Sequence, residues 1–216
     1  MGSVGLLYVG AVLFINGLSL LGAVKGKSLI PMDLFVGLLQ IITPLYLIFT
    51  ANGNQATIVG ASGLFLFGFT YLYVAMNNAF DLDGTGLGWF CLFVVMAACV
   101  YSYFNFDLHT PTGYILCVLW ANWAFLWLLF WFVLALGKTS LTKYTGAVCA
   151  AQGLYTGLLP ALIFLNVSSF VTSTLAIIIA CVSVALSITF YVILKPTWTV
   201  TAASVPGGHN LPLPQV

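Results

Sequence analysis

The sequence predicts an all-α integral membrane protein with seven transmembrane helices, and three observations support this fold class. The chain has 216 residues, of which 62% are hydrophobic and only 4% are charged, whereas soluble domains carry roughly 25% charged residues. Seven apolar stretches are long enough to cross a bilayer, which takes about 20 residues. With seven crossings, all five lysines fall on the same side of the membrane.

The seven predicted helices follow one another with short breaks between them. Polar and Gly-rich turns such as DLDGTG at Asp81 and GKTSLTK at Gly137 separate them. The predicted helices cover about residues 3–24, 31–51, 57–79, 87–104, 113–136, 145–165 and 169–194, within one transmembrane domain of residues 1–195. Residues 196–216 are rich in Pro and Gly, which predicts a flexible tail.

Lysine placement predicts how the chain is oriented. Lys25 and Lys27 lie between the first two helices, Lys138 and Lys143 between the fifth and sixth, and Lys195 after the seventh. Because lysine marks the cytoplasmic side, the N-terminus is expected outside and the tail in the cytoplasm.

Two local patterns predict how particular helices bend and pack. Pro44 and Pro160 lie inside the second and sixth helices, where each removes a backbone hydrogen bond and should kink its helix. Gly153 and Gly157 form a GxxxG step, which favours close helix packing in lipid.

The membrane interior lacks the groups that most membrane chemistry needs. Every charged residue lies within one or two turns of a predicted helix end, whereas ion pumps and proton relays place charges near the centre. No cluster of His and carboxylates suggests a metal site, and no nucleophile has a base at a plausible spacing. The only charged residues are five Lys and four Asp, so the chain lacks the excess of positive charge that binding to nucleic acid needs. We therefore expect neither an enzyme nor a cofactor.

Three predicted helices carry suggestive side chains at helical spacing on one face. These are Leu6, Val9 and Leu13 in the first helix, Phe69, Tyr73 and Asn77 in the third, and Trp123, Leu126 and Trp127 in the fifth. Core packing or an interfacial aromatic belt accounts for many such faces, and the lining of a pore is the other interpretation. The two tryptophans fit a belt poorly because they lie near the middle of their helix.

Several motifs in the chain resemble the AmiS/UreI family of urea channels and short-chain amide transporters. They are LLYVGAVLFING near the N-terminus, FGFTYLYVAMN in the third helix, and WAFLW followed by a short lysine loop and AAQGLYTGLLPA. The resemblance covers about residues 1–165. GFTYLY together with WxxLW is fairly specific, although each alone would be a weak signal.

The resemblance implies a fold, an assembly and a set of site residues. The first six helices would form a twisted bundle of three helix hairpins around a pore, and the protomers would assemble as a homo-hexamer in the bacterial cytoplasmic (inner) membrane. The implied pore lining is Phe69, Tyr73, Trp123, Leu126 and Trp127, narrowed by Leu6, Val9 and Leu13, with Asn77 and Gln152 as candidates to meet the amide groups of a solute. The expected solutes are urea and short aliphatic amides, passing downhill.

The chain departs from the acid-gated urea channel of this family in three respects. The outer loop around Asn52 is short and has no His or acid, and Gln152 stands where that channel has Glu, so acid gating is not expected. The seventh helix and the tail fall outside the six-helix pattern. A proton- or ion-coupled amide transporter is the alternative, and a non-transporting scaffold or sensor is a third interpretation.

Overall fold

The computed structural model of the protein describes residues 2–196, which fold into helices joined by short turns. Seven of these helices are long and apolar enough to cross a membrane, which confirms the predicted fold class. The first to seventh spans are Gly2–Leu20, Gly26–Phe49, Gln55–Phe80, Thr85–Asp107, Pro111–Leu134, Thr139–Asn166 and Ser173–Leu194. The tail expected over 196–216 lies outside the described residues from position 197 onward, so its flexibility stays a prediction.

The first six spans associate as three antiparallel pairs. The second span packs along the third, and the fourth along the fifth, so each of these pairs is a hairpin of consecutive spans. The first span packs along the sixth and thereby closes the bundle. Only two of the three expected hairpins are therefore hairpins of consecutive spans. The third pair consists of the first and sixth spans, which are far apart in sequence.

Glycines allow the first and sixth spans to approach each other to backbone contact. A Cβ added at Gly10 would lie 2.6 Å from the carbonyl oxygen of Gly153, and one added at Gly17 would lie 2.6 Å from that of Gly146. A Cβ at Gly157 would overlap the backbone of Gly10. The GxxxG step of the sixth span thus has a glycine as its partner, as is common where helices pack closely in lipid.

Two of the spans are interrupted along their length. The third span breaks at Gly63 into the helices Gln55–Ser62 and Leu64–Phe80, and the indole of Trp120 packs where a Cβ of Gly63 would be. The sixth span widens into a π-helical turn at Gly153–Leu158, just before Pro160, because proline cannot donate the regular helical hydrogen bond.

The seventh span lies against the fifth and sixth spans on the outside of the bundle. Tyr191 packs edge-to-face on Tyr144 of the sixth span, with ring centroids 5.9 Å apart, and Ala176 and Ile179 are buried. Most of its other side chains are exposed, and most of the exposed ones are apolar, as suits a surface that faces lipid.

Candidate functional site

Two cavities enter the six-span bundle from opposite ends. The lysine-end cavity opens beside Gly26 and Gly84, in the loops on the side of Lys25 and Lys27, and has a volume of about 310 Å³. The N-terminal cavity starts at Gly2 and has a volume of about 420 Å³. No described residue of the seventh span lines either cavity.

One side chain, the indole of Trp123, belongs to the walls of both cavities. Around it lie three further rings that we call, together with Trp123, the aromatic partition: Phe67, Trp120 and Trp127. The Phe67 ring lies 4.8 Å from Trp123, 4.8 Å from Trp127 and 5.7 Å from Trp120, measured between centroids. Trp123 therefore lies between the two cavities, with Phe67 and Trp127 on the lysine side and Trp120 on the N-terminal side.

Hydrogen bonds from the sixth span fix the orientation of Trp123. Its indole Nε1 donates to the hydroxyl of Thr156 at 3.1 Å, and that hydroxyl donates to the carbonyl oxygen of Gln152 at 2.6 Å. Thr156 lies within the π-helical turn. The helix distortion before Pro160 thus presents the acceptor that holds the ring.

Five of the ten predicted site residues line the lysine-end cavity, namely Leu13, Asn77, Trp123, Leu126 and Trp127. Leu6 lines the N-terminal cavity. Val9, between Leu6 and Leu13 in sequence, is only 2% exposed and contributes to neither wall. Helical spacing grouped three residues on one face of the first span and three on one face of the fifth. All of them except Val9 line a cavity.

The structure places Phe69 and Tyr73 away from both cavities, which corrects the predicted face of the third span. Phe69 is 52% exposed on the outer surface and stacks on Phe65, while the hydroxyl of Tyr73 covers Gly86 of the fourth span. Phe67, two residues earlier and only 2% exposed, is the ring in the partition. Successive residues turn by about 100°, so Phe67 and Phe69 point in nearly opposite directions.

Gln152 is the other predicted site residue that lines neither cavity. It is fully buried between the fifth and sixth spans, where its Nε2 donates to the carbonyl oxygen of Asn122 at 3.0 Å. The Tyr155 hydroxyl donates to Oδ1 of the same asparagine at 3.0 Å. Gln152 therefore joins two spans, and this placement corrects its assignment as a group that meets the solute.

Sequence reasoning missed a fully buried carboxyl group beside the lysine-end cavity. Asp33 lies in the first turn of the helix Ile30–Phe49, and its Oδ1 accepts a hydrogen bond from Nδ2 of Asn16 at 2.8 Å. Its position near a helix end suggested contact with water, but neighbouring spans cover it completely. The amide of Asn16, four residues from the end of its helix, was the sequence signal for a buried partner.

Seven apolar spans and two cavities that meet at an aromatic layer define a multi-pass membrane protein of the channel or transporter class. The chain belongs to the AmiS/UreI family of transporters, whose family model matches residues 1–168. Membership of a transporter family supports the prediction that the protein is not an enzyme.

Three comparisons show how similar this chain is to its relatives in sequence and structure. A Mycolicibacterium smegmatis protein, provisionally named as a transporter of amidate substrates, is 47% identical over 166 residues, covering 77% of each chain. The acid-activated urea channel of Helicobacter pylori is 34% identical over 182 residues, covering 72% of this chain and 93% of its own. The cryo-electron microscopy structure of a Helicobacter pylori urea channel in the closed state superposes with a TM-score of 0.70 at 30% identity, covering 76% of this chain and 97% of that one.

Proposed function

We propose that the protein is a passive channel for small neutral amides such as urea and acetamide. The observation that carries the proposal is the pair of cavities that meet at Trp123. The solute class is supported by the names of the relatives, one a transporter of amidate substrates and the other a urea channel. A coupled transporter is the alternative, because membership of this family is compatible with both functions. A transport experiment distinguishes the two.

The aromatic partition suits a flat, uncharged solute. Urea and acetamide are planar, so each can lie flat against a ring of the partition and keep dispersion contact with it. The Phe67 and Trp127 rings are in contact, with centroids 4.8 Å apart, so the proposed path runs along the ring faces. Leu13 and Leu126 add aliphatic walls on the lysine side. An ion would lose its hydration at this point without a partner, at a cost of several kcal/mol, and is therefore excluded.

We propose that acid does not gate the pathway. The loop between the second and third spans is short, and His109 is the only histidine within residues 2–196. At the opposite end, the backbone N–H and the hydroxyl of Thr85 both donate to Asp83 and hold the pKa of its carboxyl below the usual range. Asp83 therefore stays ionised on mild acidification.

Solute permeability is expected to be the same at pH 7 and pH 5, the interval in which an ordinary histidine titrates. The measurement is stopped-flow light scattering on proteoliposomes at both pH values, with His109→Asn as the control. A steep rise in permeability on acidification would contradict the proposal, and its loss in His109→Asn would identify the histidine as the gate.

We further propose that the N-terminus faces outward and the C-terminus the cytoplasm, because the lysines mark the inner side. The proposed location is the bacterial cytoplasmic membrane and the proposed assembly a homo-hexamer, on the strength of the family resemblance. Labelling of single cysteines introduced in the Gly137 loop of intact cells tests the orientation, and native mass spectrometry from nanodiscs tests the assembly.

Phe67→Ala is expected to change the ratio of urea to acetamide permeability, whereas Phe69→Ala is expected to leave it unchanged. The two positions lie on the same helix, but Phe67 belongs to the partition and Phe69 lies on its outer face. Stopped-flow measurements on the two variants form a matched pair. Equal effects of both substitutions, or a larger effect of Phe69→Ala, would contradict the assigned face of the third span.

A further inference from the structure

The bond between Asp33 and Asn16 determines which amide atom Asn16 can offer to the lysine-end cavity. Asn16 lines that cavity, and its Nδ2 donates to Oδ1 of Asp33. A carboxyl oxygen in this position accepts the bond whether the group is ionised or protonated, so the amide is held in one orientation. The atom left over is the carbonyl oxygen Oδ1 of Asn16, which has no hydrogen-bond partner among residues 2–196.

Other groups in the same cavity also lack partners. Oδ1 of Asn77 and the hydroxyl of Tyr71 both belong to cavity-lining residues, are buried, and make no hydrogen bond with a described residue. Oδ2 of Asp33 is likewise buried without a partner among the described residues.

This part of the cavity is rich in hydrogen-bond acceptors. Asn16, in the first span, has an amide oxygen free to face the cavity, and Asn77, in the third span, holds a buried amide oxygen without a partner in the cavity wall. Buried acceptors without partners are costly unless a donor reaches them. The complementary ligand is a small solute that donates N–H groups, such as the NH₂ of a primary carboxamide or of urea.

We propose that Asp33 is a positioning residue that fixes Asn16 with its carbonyl oxygen toward the lysine-end cavity, and so creates a subsite for the NH₂ group of primary amides. The inference rests on the proposed function, and it adds a residue that selects solutes by their N–H donors. A carboxyl group that only tied two spans together would be an unfavourable choice, because apolar packing does so without the cost of burying a charge.

The test compares acetamide, which has an NH₂ group, with N,N-dimethylacetamide, which has no N–H donor. Asp33→Asn keeps the size of the side chain, but the new amide can either accept from Asn16 or donate to it, so Asn16 is no longer held in one orientation. The acetamide to N,N-dimethylacetamide permeability ratio in proteoliposomes is expected to fall by about two- to tenfold, the factor that corresponds to one hydrogen bond.

The double variant Asn16→Asp/Asp33→Asn is expected to restore the ratio. The amide introduced at position 33 then donates to the carboxyl group introduced at position 16, whose second oxygen is again an acceptor facing the cavity. A merely structural pair would keep its bond in both variants and show no change in the ratio. Asp81→Asn is the control, since Asp81 pairs with Lys27 at 2.8 Å in the exposed loops at the same end, and it should behave as wild type.

An unchanged ratio in Asp33→Asn would overturn the inference, as would a double variant that conducts but fails to regain the ratio. If Asp33→Asn does not fold, Asn16→Ala replaces it, because alanine removes the amide oxygen that faces the cavity, and its ratio must fall. Wild-type protein that conducts no acetamide would refute the proposed channel instead, so the two failures are distinguishable.

Discussion

Trp123→Ala is expected to abolish the discrimination between acetamide and longer amides such as butyramide. Trp123 is the side chain shared by the two cavities, so removal of its indole joins them through a wider opening. It also removes the indole N–H that donates a hydrogen bond to the hydroxyl of Thr156. Stopped-flow light scattering on proteoliposomes measures the ratio of the two permeabilities, which should approach the ratio of their diffusion coefficients in water.

The same substitution is expected to lower the free energy of unfolding by about 3–5 kcal/mol, the usual cost of truncating a buried tryptophan. Trp123→Phe keeps a ring in the partition and should retain most of the size discrimination. Trp89→Ala is the control because Trp89 is 55% exposed on the outer surface. Wild-type discrimination in folded Trp123→Ala would show that the solute does not pass this residue.

The second large effect is expected at the contact between the first and sixth spans, where Gly157→Ala should lower the free energy of unfolding by about 3 kcal/mol. The new Cβ would overlap the backbone of Gly10, which cannot move aside as a flexible side chain would. Thermal unfolding in detergent, followed by fluorescence-detected size exclusion, measures the loss.

Gly60→Ala provides the matched control for this substitution. Gly60 also lies in a helix, but a Cβ there would have no atom within 4 Å, so the change is expected to preserve or slightly raise stability. Equal melting temperatures for Gly157→Ala and wild type would contradict the backbone contact between the two spans.

The seven spans could be predicted from the sequence because the bilayer sets both the length and the apolar character of each one. The face formed by Trp123, Leu126 and Trp127 could also be predicted, since helical spacing groups these residues and their central position disfavours an interfacial belt. The GxxxG step predicted close packing. Its partner, Gly10, could not be identified because the pairing of the first and sixth spans depends on the closure of the whole bundle.

The inward face of the third span could not be chosen from spacing alone. This helix carries aromatic rings at every second position from Phe65 to Tyr73, so rings occur on opposite sides and periodicity favours no one direction. The fifth span decides the outcome, because its tryptophans pack on Phe67. The burial of Asp33 escaped prediction for a similar reason, since it depends on the spans that cover the helix end.

The most direct test of the proposed function is whether a concentration gradient of the solute alone drives its movement. Proteoliposomes with equal ion concentrations on both sides receive radiolabelled acetamide outside, with and without an imposed proton or sodium gradient. A passive channel brings the internal acetamide concentration up to the external value and no further under every condition. Accumulation above the external value when an ion gradient is imposed, and its loss when an ionophore collapses that gradient, would contradict the channel and establish a coupled transporter.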